Sequence, residues 1–112
     1  MILLTSDRGL YGSADYAHYA ASKGAMIALT KSLAIALGRD GVTVNGLNPG
    51  MTDTPLARGA ITPESWRAKE SYDVMGSHSI PEDIAEIVLF LAGTAGRFMT
   101  GQIVATRMRS IA

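Results

Sequence analysis

Val42-Thr43-Val44-Asn45-Gly46-Leu47-Asn48-Pro49-Gly50 reads as a strand from Val42 to Leu47, rich in valine and threonine and stopped by an Asn-Pro-Gly turn. Just upstream, Tyr16 to Arg39 holds no proline and seven alanines between Ala17 and Ala36, so a long helix is expected, weakened only at Gly24 and Gly38 and ended by Gly41. Ser13 to Asp15 offer side chains able to cap its start. Before that, Ile2 to Thr5 is a short apolar run entering the polar turn Ser6-Asp7-Arg8-Gly9, as a buried strand would. Strand, long helix and strand form a βαβ unit, whose strands are parallel and whose crossover is right-handed.

Outward from this unit, Met51 to Ser79 mixes Thr, Pro, Gly and charge, the composition of a long connection. Within it Thr54-Pro55 and Thr62-Pro63-Glu64 each set a capping hydroxyl before a proline at the first helical position, which predicts two short helices. Pro81-Glu82-Asp83 opens a further helix with acids in its first turn, and Ile84, Ile87, Val88 and Leu91 follow helical spacing. Gln102 to Thr106 reads as a last strand. The order strand, long helix, strand, short helices, helix, strand predicts an α/β fold. With no repeat or linker in the chain, residues 1–112 are expected to form a single domain.

The chain has 112 residues, 47% of them hydrophobic and 18% charged, enough for a core and too few charges for disorder. Lys plus Arg (10) balance Asp plus Glu (10), which argues against nucleic acid as a partner. Without cysteine there is no disulfide framework, thiolate zinc site or cysteine nucleophile. His18 and His78 stand apart from any ligand cluster, so no metal site is expected, and no G-x-S-x-G elbow points to a hydrolase. The Met1-Ile2-Leu3-Leu4 run is too short for a secretion signal. The apolar stretch Ile84 to Ala92 is about half of what spans a bilayer. A cytoplasmic protein without a membrane partner is expected.

In an open parallel α/β sheet, ligands bind beyond the carboxyl ends of the strands. Ser6 to Gly12, the start of the long helix and Asn48 to Thr54 converge there. Tyr19 and Lys23, four apart on a helix, share a face. An ammonium group beside a phenol favours the phenolate, so such a pair suits general acid/base chemistry, and a nearby serine hydroxyl could hydrogen-bond a carbonyl or alkoxide oxygen.

On these residues the chain resembles the short-chain dehydrogenases/reductases. Tyr19-Ala20-Ala21-Ser22-Lys23 is similar to the family's Y-x-x-x-K motif, and Ser6 to Gly12 is similar to S-x-x-G-x-x-G, with Ser6 thirteen residues before Tyr19. Val42 to Asn45 with Asn48-Pro49-Gly50, continuing to Thr54, resembles the V-N…P-G-x-x-x-T stretch. Pro81 to Ala85 and Thr100-Gly101-Gln102 resemble two later markers. The resemblance implies a partial Rossmann-like, doubly wound parallel sheet and hydride transfer between NAD or NADP and an alcohol/carbonyl substrate. It implies that Tyr19 is the proton donor or acceptor. Lys23 would lower the Tyr19 pKa and bind the nicotinamide ribose, and Ser6 would position the substrate oxygen. Pro49 and Gly50 would lie along the nicotinamide, while the Thr52 backbone and Thr54 hydroxyl would contact its carboxamide or the neighbouring phosphate. Residues 51–79 would form the substrate lid, and the long helix and last strand would serve a homo-oligomer, dimer or tetramer.

Two departures accompany the resemblance. No G-x-G occurs in the chain, so the turn that holds the cofactor pyrophosphate at a helix N-terminus is missing, as is the residue that selects NAD or NADP. The family's catalytic asparagine has no counterpart, because Asn45 and Asn48 belong to another motif. The chain is therefore expected to represent the C-terminal, catalytic half of a family member, marginally stable, self-associating and inactive alone. Another reading makes it a cofactor-free remnant that acts only through association. The second departure is at the end, where Ile103 to Arg109 replaces the family's V-D-G-G; Arg97, Arg107 and Arg109 there read as solvated charge. Thr54 also reads as a plain helix cap, and Trp66 as either pocket lining or lid packing.

Overall fold

A computed structural model describes residues 1–107. Its elements are β1 (Ile2–Leu4), α1 (Asp7–Tyr11), α2 (Ala17–Leu37), β2 (Asn45–Asn48), α3 (Pro55–Ala60), α4 (Pro63–Ser71), α5 (Pro81–Ala92) and β3 (Ile103–Ala105). Single 3₁₀ turns, Gly38–Asp40 and Thr94–Gly96, follow α2 and α5. The strands form one sheet in the order β1-β2-β3 with both pairs parallel, Leu3 facing Gly46 and Leu47 facing Val104. The α/β architecture expected from the sequence is thus present.

β2 is the middle strand, and all four of its residues are buried. Side chains alternate across a strand. A Cβ on Gly46 would come within 3.3 Å of Thr30 Oγ1 on α2 and 2.6 Å of Ile103 Cδ1, so glycine lets the helix sit close to the sheet. Asn45 and Leu47 point to the opposite face and are equally buried, so both faces of β2 are covered. The strand is shorter than Val42 to Leu47 because Val44 bonds the 99–102 turn instead. Its amide donates to Thr100 Oγ1 at 3.0 Å, and its carbonyl accepts from the Gly101 amide at 2.7 Å. Asn45 completes this bracket, donating to the Met99 carbonyl (2.8 Å) and accepting from the Gln102 amide (3.1 Å).

Two expectations at the start of the chain are corrected. Ser6 to Gly9 is not an open turn: Ser6 Oγ accepts from the Arg8 amide at 3.3 Å and caps α1. The long helix begins behind Tyr16 with no side-chain cap, so Ser13 to Asp15 do not serve it. The Thr-Pro reading holds at both sites: Thr54 Oγ1 accepts from the Ala57 amide (3.1 Å) and Thr62 Oγ1 from Ser65 (3.2 Å).

The accessible surface is 7390 Å², against about 5,900 Å² for a typical folded monomer of this mass. Of α2's 21 residues only Thr30 and Ala34 are buried, and Ile35 is 84% exposed. α2 is long and apolar enough to cross a bilayer by length and composition. It nevertheless packs on β1 and β2 as a helix of an α/β layer does.

Candidate active site

The site is built at the carboxyl ends of β1 and β2. β1 runs into Ser6, the cap of α1, and α1 lies across the first turns of α2. Gly9 makes this crossing possible. A Cβ there would meet the Lys23 carbonyl carbon at 2.6 Å and the Gly24 amide nitrogen at 2.7 Å. Two backbones thus touch beside the Tyr19–Lys23 turn, one of them in the helix that Ser6 caps.

Tyr19 and Lys23 stand one turn apart near the start of α2, with the ammonium 5.7 Å from the phenol ring centroid. Lys23 Nζ donates to the Leu4 carbonyl at 3.0 Å, tying the helix to the end of β1. An ammonium group has three donors, and among the described residues the Leu4 carbonyl takes one of them. Ser22 Oγ donates to the Tyr19 carbonyl at 2.7 Å. Ser6 Oγ also donates to Asp7 Oδ1 at 3.1 Å. A residue the sequence reading passed over completes this rim: the Arg8 guanidinium is 4.2 Å from the Tyr16 ring centroid and 5.9 Å from that of Tyr19. Its place inside S-x-x-G, two positions after Ser6, was the available signal.

Past β2, Asn48 Oδ1 accepts from the Gly50 amide at 3.2 Å, and Gly50 has φ 65°, in the left-handed region that suits glycine. Thr52 pairs with Ser79 in an isolated parallel bridge: the Asp53 amide donates to the Ser79 carbonyl (2.8 Å) and the Ser79 amide to the Met51 carbonyl (3.0 Å). The segment 51–79, the expected substrate lid, therefore returns to its own beginning and forms a neck. Within the lid, Arg58 makes a bidentate ion pair with Asp53. This pair holds the Asp53 carboxyl below the usual carboxylate range and the arginine above its own. His78 pairs with Glu70, which also accepts from Trp66 Nε1 at 3.2 Å, and the Trp66 and His78 rings meet edge to face at 5.1 Å. Trp66 thus packs the lid internally.

Arg107 corrects the expectation of solvated charge. Its side chain is 8% exposed and Asp73's 9%, and they form a bidentate pair at 2.8 and 2.6 Å. The guanidinium also donates to the Ser77 carbonyl at 2.7 Å. Arg107 holds the Asp73 carboxyl below its usual range, and the Met75 and Gly76 amides act in the same direction. Arg97 packs on Phe98, its guanidinium 5.0 Å from the ring centroid. Arg109 lies outside the described residues.

A family model described as enoyl-(acyl carrier protein) reductase matches residues 1–106. The chain belongs to the short-chain dehydrogenases/reductases. It is 43% identical over 86 residues to the short-chain dehydrogenase/reductase eriH of Hericium erinaceus, covering 77% of this chain and 34% of that protein. To the 3-oxoacyl-[acyl-carrier-protein] reductase FabG of Rickettsia bellii it is 36% identical over 102 residues, covering 91% and 42%. A solved 4-hydroxyisoleucine dehydrogenase, complexed with NADH, superposes with a TM-score of 0.86 at 28% identity, over 93% of this chain and 43% of that one. The chain thus spans less than half the length of these relatives. At the level of the family, these are Rossmann-fold oxidoreductases that use a nicotinamide cofactor.

Proposed function

We propose that this chain carries the acid/base half of an NAD(P)-dependent oxidoreductase that interconverts an alcohol and a carbonyl. The carrying observation is the Tyr19–Lys23 turn, pinned to the end of β1 through the Leu4 carbonyl and crossed by the helix that Ser6 caps. NAD or NADP, when bound, supplies or accepts the hydride. Tyr19 delivers a proton to the developing alkoxide, or removes one from the alcohol, at its phenol oxygen. Ser6 Oγ would hold the substrate oxygen by turning toward it the hydroxyl proton that it gives to Asp7 in this structure. Lys23 presents its charge along the Tyr19 ring and offers its free donors to the ribose hydroxyls. The donor set suits the nicotinamide end of the cofactor: Pro49 and Gly50 would flank it, and Thr52 and Thr54 would offer donors beside it. Residues 51–79 cover the substrate.

No G-x-G turn is present to hold the pyrophosphate. We therefore expect this chain alone to show no measurable turnover and no saturable NADH or NADPH binding at micromolar concentrations by fluorescence titration. Saturable binding would refute the claim that a further phosphate-binding segment is required. Where turnover is obtained, Tyr19→Phe should abolish it and largely preserve cofactor affinity; unchanged turnover would remove Tyr19 from the mechanism.

A second reading, a non-catalytic association module, is favoured by the exposed apolar side of α2, including Ile35. Both readings include a homo-oligomer, a dimer or tetramer, in the cytoplasm. Light scattering on the purified chain tests association: a strict monomer at high micromolar concentration would remove the oligomer from both readings and leave the second without a function.

A further inference from the structure

We propose that Arg107 is the positioning residue of the turn that faces the nicotinamide, holding both ends of the lid segment against the end of β3. The start of the lid is held first by Thr106, whose amide donates to the Asn48 carbonyl at 3.1 Å and whose hydroxyl donates to the Pro49 carbonyl at 2.8 Å. The Arg107 stem then lies on Gly50: a Cβ on that glycine would stand 3.2 Å from Arg107 Cβ. The guanidinium reaches the far end of the lid. It binds Asp73 through two nitrogens (2.8 and 2.6 Å), the Ser77 carbonyl (2.7 Å) and hydroxyl (3.1 Å), and lies 3.4 Å from Ser79 Oγ. Ser79 is the residue that pairs with Thr52 across the neck.

One side chain thus bridges the beginning and the end of a segment of about thirty residues, and it does so at the neck. A planar guanidinium with five donors can satisfy a carboxylate and a carbonyl together, which a lysine ammonium on a flexible stem does less well. Gly50 and Thr52 acquire their positions from the neck, and through them Arg107 sets where a nicotinamide would be met.

The proposal rests on reading Gly50 to Thr54 as the nicotinamide-facing turn. Its test needs no cofactor, so the two can fail separately. Amide hydrogen exchange and chemical shifts are measured by NMR on the full chain and on Arg107→Ala, Arg107→Lys and Asp73→Asn. Expected are at least tenfold faster exchange at the Asp53 and Ser79 amides and displaced Gly50 and Thr52 resonances. The sheet amides of Thr5 and Gly46 should stay within about twofold. Arg107→Lys should give the same pattern at smaller amplitude, and it carries the test if Arg107→Ala does not fold. Unchanged exchange at Asp53 and Ser79 would overturn the proposal. So would a uniform acceleration across neck and sheet, which would make Arg107 general support for the fold.

Discussion

Where α1 crosses α2, Gly9 brings two backbones into contact with no side chain between them. At the lid neck, 8%-exposed Arg107 reaches Asp73, Ser77 and Ser79 from the other end of the sequence. The first junction relies on the absence of atoms and the second on a particular set of them. The proposed reacting groups belong to the first: Ser6, Tyr19 and Lys23 are placed by helix geometry and a close crossing, and Tyr19 itself remains 39% exposed. The proposed lid belongs to the second, where an ion pair holds a segment whose helices α3 and α4 contribute no buried residue. A site that must admit substrate can leave its acid/base residue open if backbone packing fixes it. A lid must be held by contacts that can be rearranged.

Gly9→Ala tests this contrast most severely. The new methyl would stand 2.6 Å from a backbone carbon and 2.7 Å from a backbone nitrogen, neither of which can rotate aside. Overpacking of this kind costs about 3 kcal/mol, and urea denaturation followed by circular dichroism should show it. A loss below about 0.5 kcal/mol, the range of ordinary surface changes, would mean that α1 is free to lift off α2.

Asp73→Ala comes next. It leaves a mostly covered guanidinium whose remaining hydrogen-bond partners, among the described residues, are the neutral Ser77 and Ser79. The expected loss is about 2 kcal/mol, between the roughly 1 of a solvated pair and the roughly 3 or more of a fully buried one. The same pair gives a pH dependence. Asp73 is held below its usual range in the folded state, so the unfolded chain takes up the proton first as pH falls. Its contribution is complete above about pH 4, the unfolded carboxylate value, and disappears as pH falls through the lower folded value. Fluorescence of Trp66, the single tryptophan and a lid residue, should therefore report loosening below about pH 4 in the parent chain and a weaker acid response in Asp73→Asn. An identical response in both would take Asp73 out of the neck.

The sequence disclosed the first junction better than the second, for a physical reason. Helical period, the Thr-Pro caps and the Asn-Pro-Gly stop are local signals, and each appeared within a residue or two of its expected place. The Tyr19–Lys23 spacing is local too. Gly9 was legible as part of a motif, but its steric purpose was not, because the Lys23 backbone that it touches lies fourteen residues on. Arg107 looked like solvated charge because its carboxylate is 34 positions away. Asn45 was set aside as belonging to the wrong motif. Its bracket to Met99 and Gln102 spans more than fifty residues and exists only once the sheet has formed. Local chemistry is written in neighbouring residues, whereas long-range polar contacts depend on a topology that neighbours do not specify.

The smallest expected effect is the most discriminating for function. The Tyr19 phenol is partly exposed and, among the described residues, its ring is met by the cations of Arg8 and Lys23. Tyr19→Phe keeps the ring that these cations face and removes only the hydroxyl. Stability should therefore change by less than about 0.5 kcal/mol, as for surface substitutions away from caps, cores and buried pairs. A larger loss would make the hydroxyl a structural group and would align the rim with the neck as a region held by side-chain bonds. A change within that limit leaves a tyrosine whose hydroxyl does little for the fold, set one turn from a lysine that is anchored to the sheet. Such an arrangement fits the proposed acid/base role of the hydroxyl.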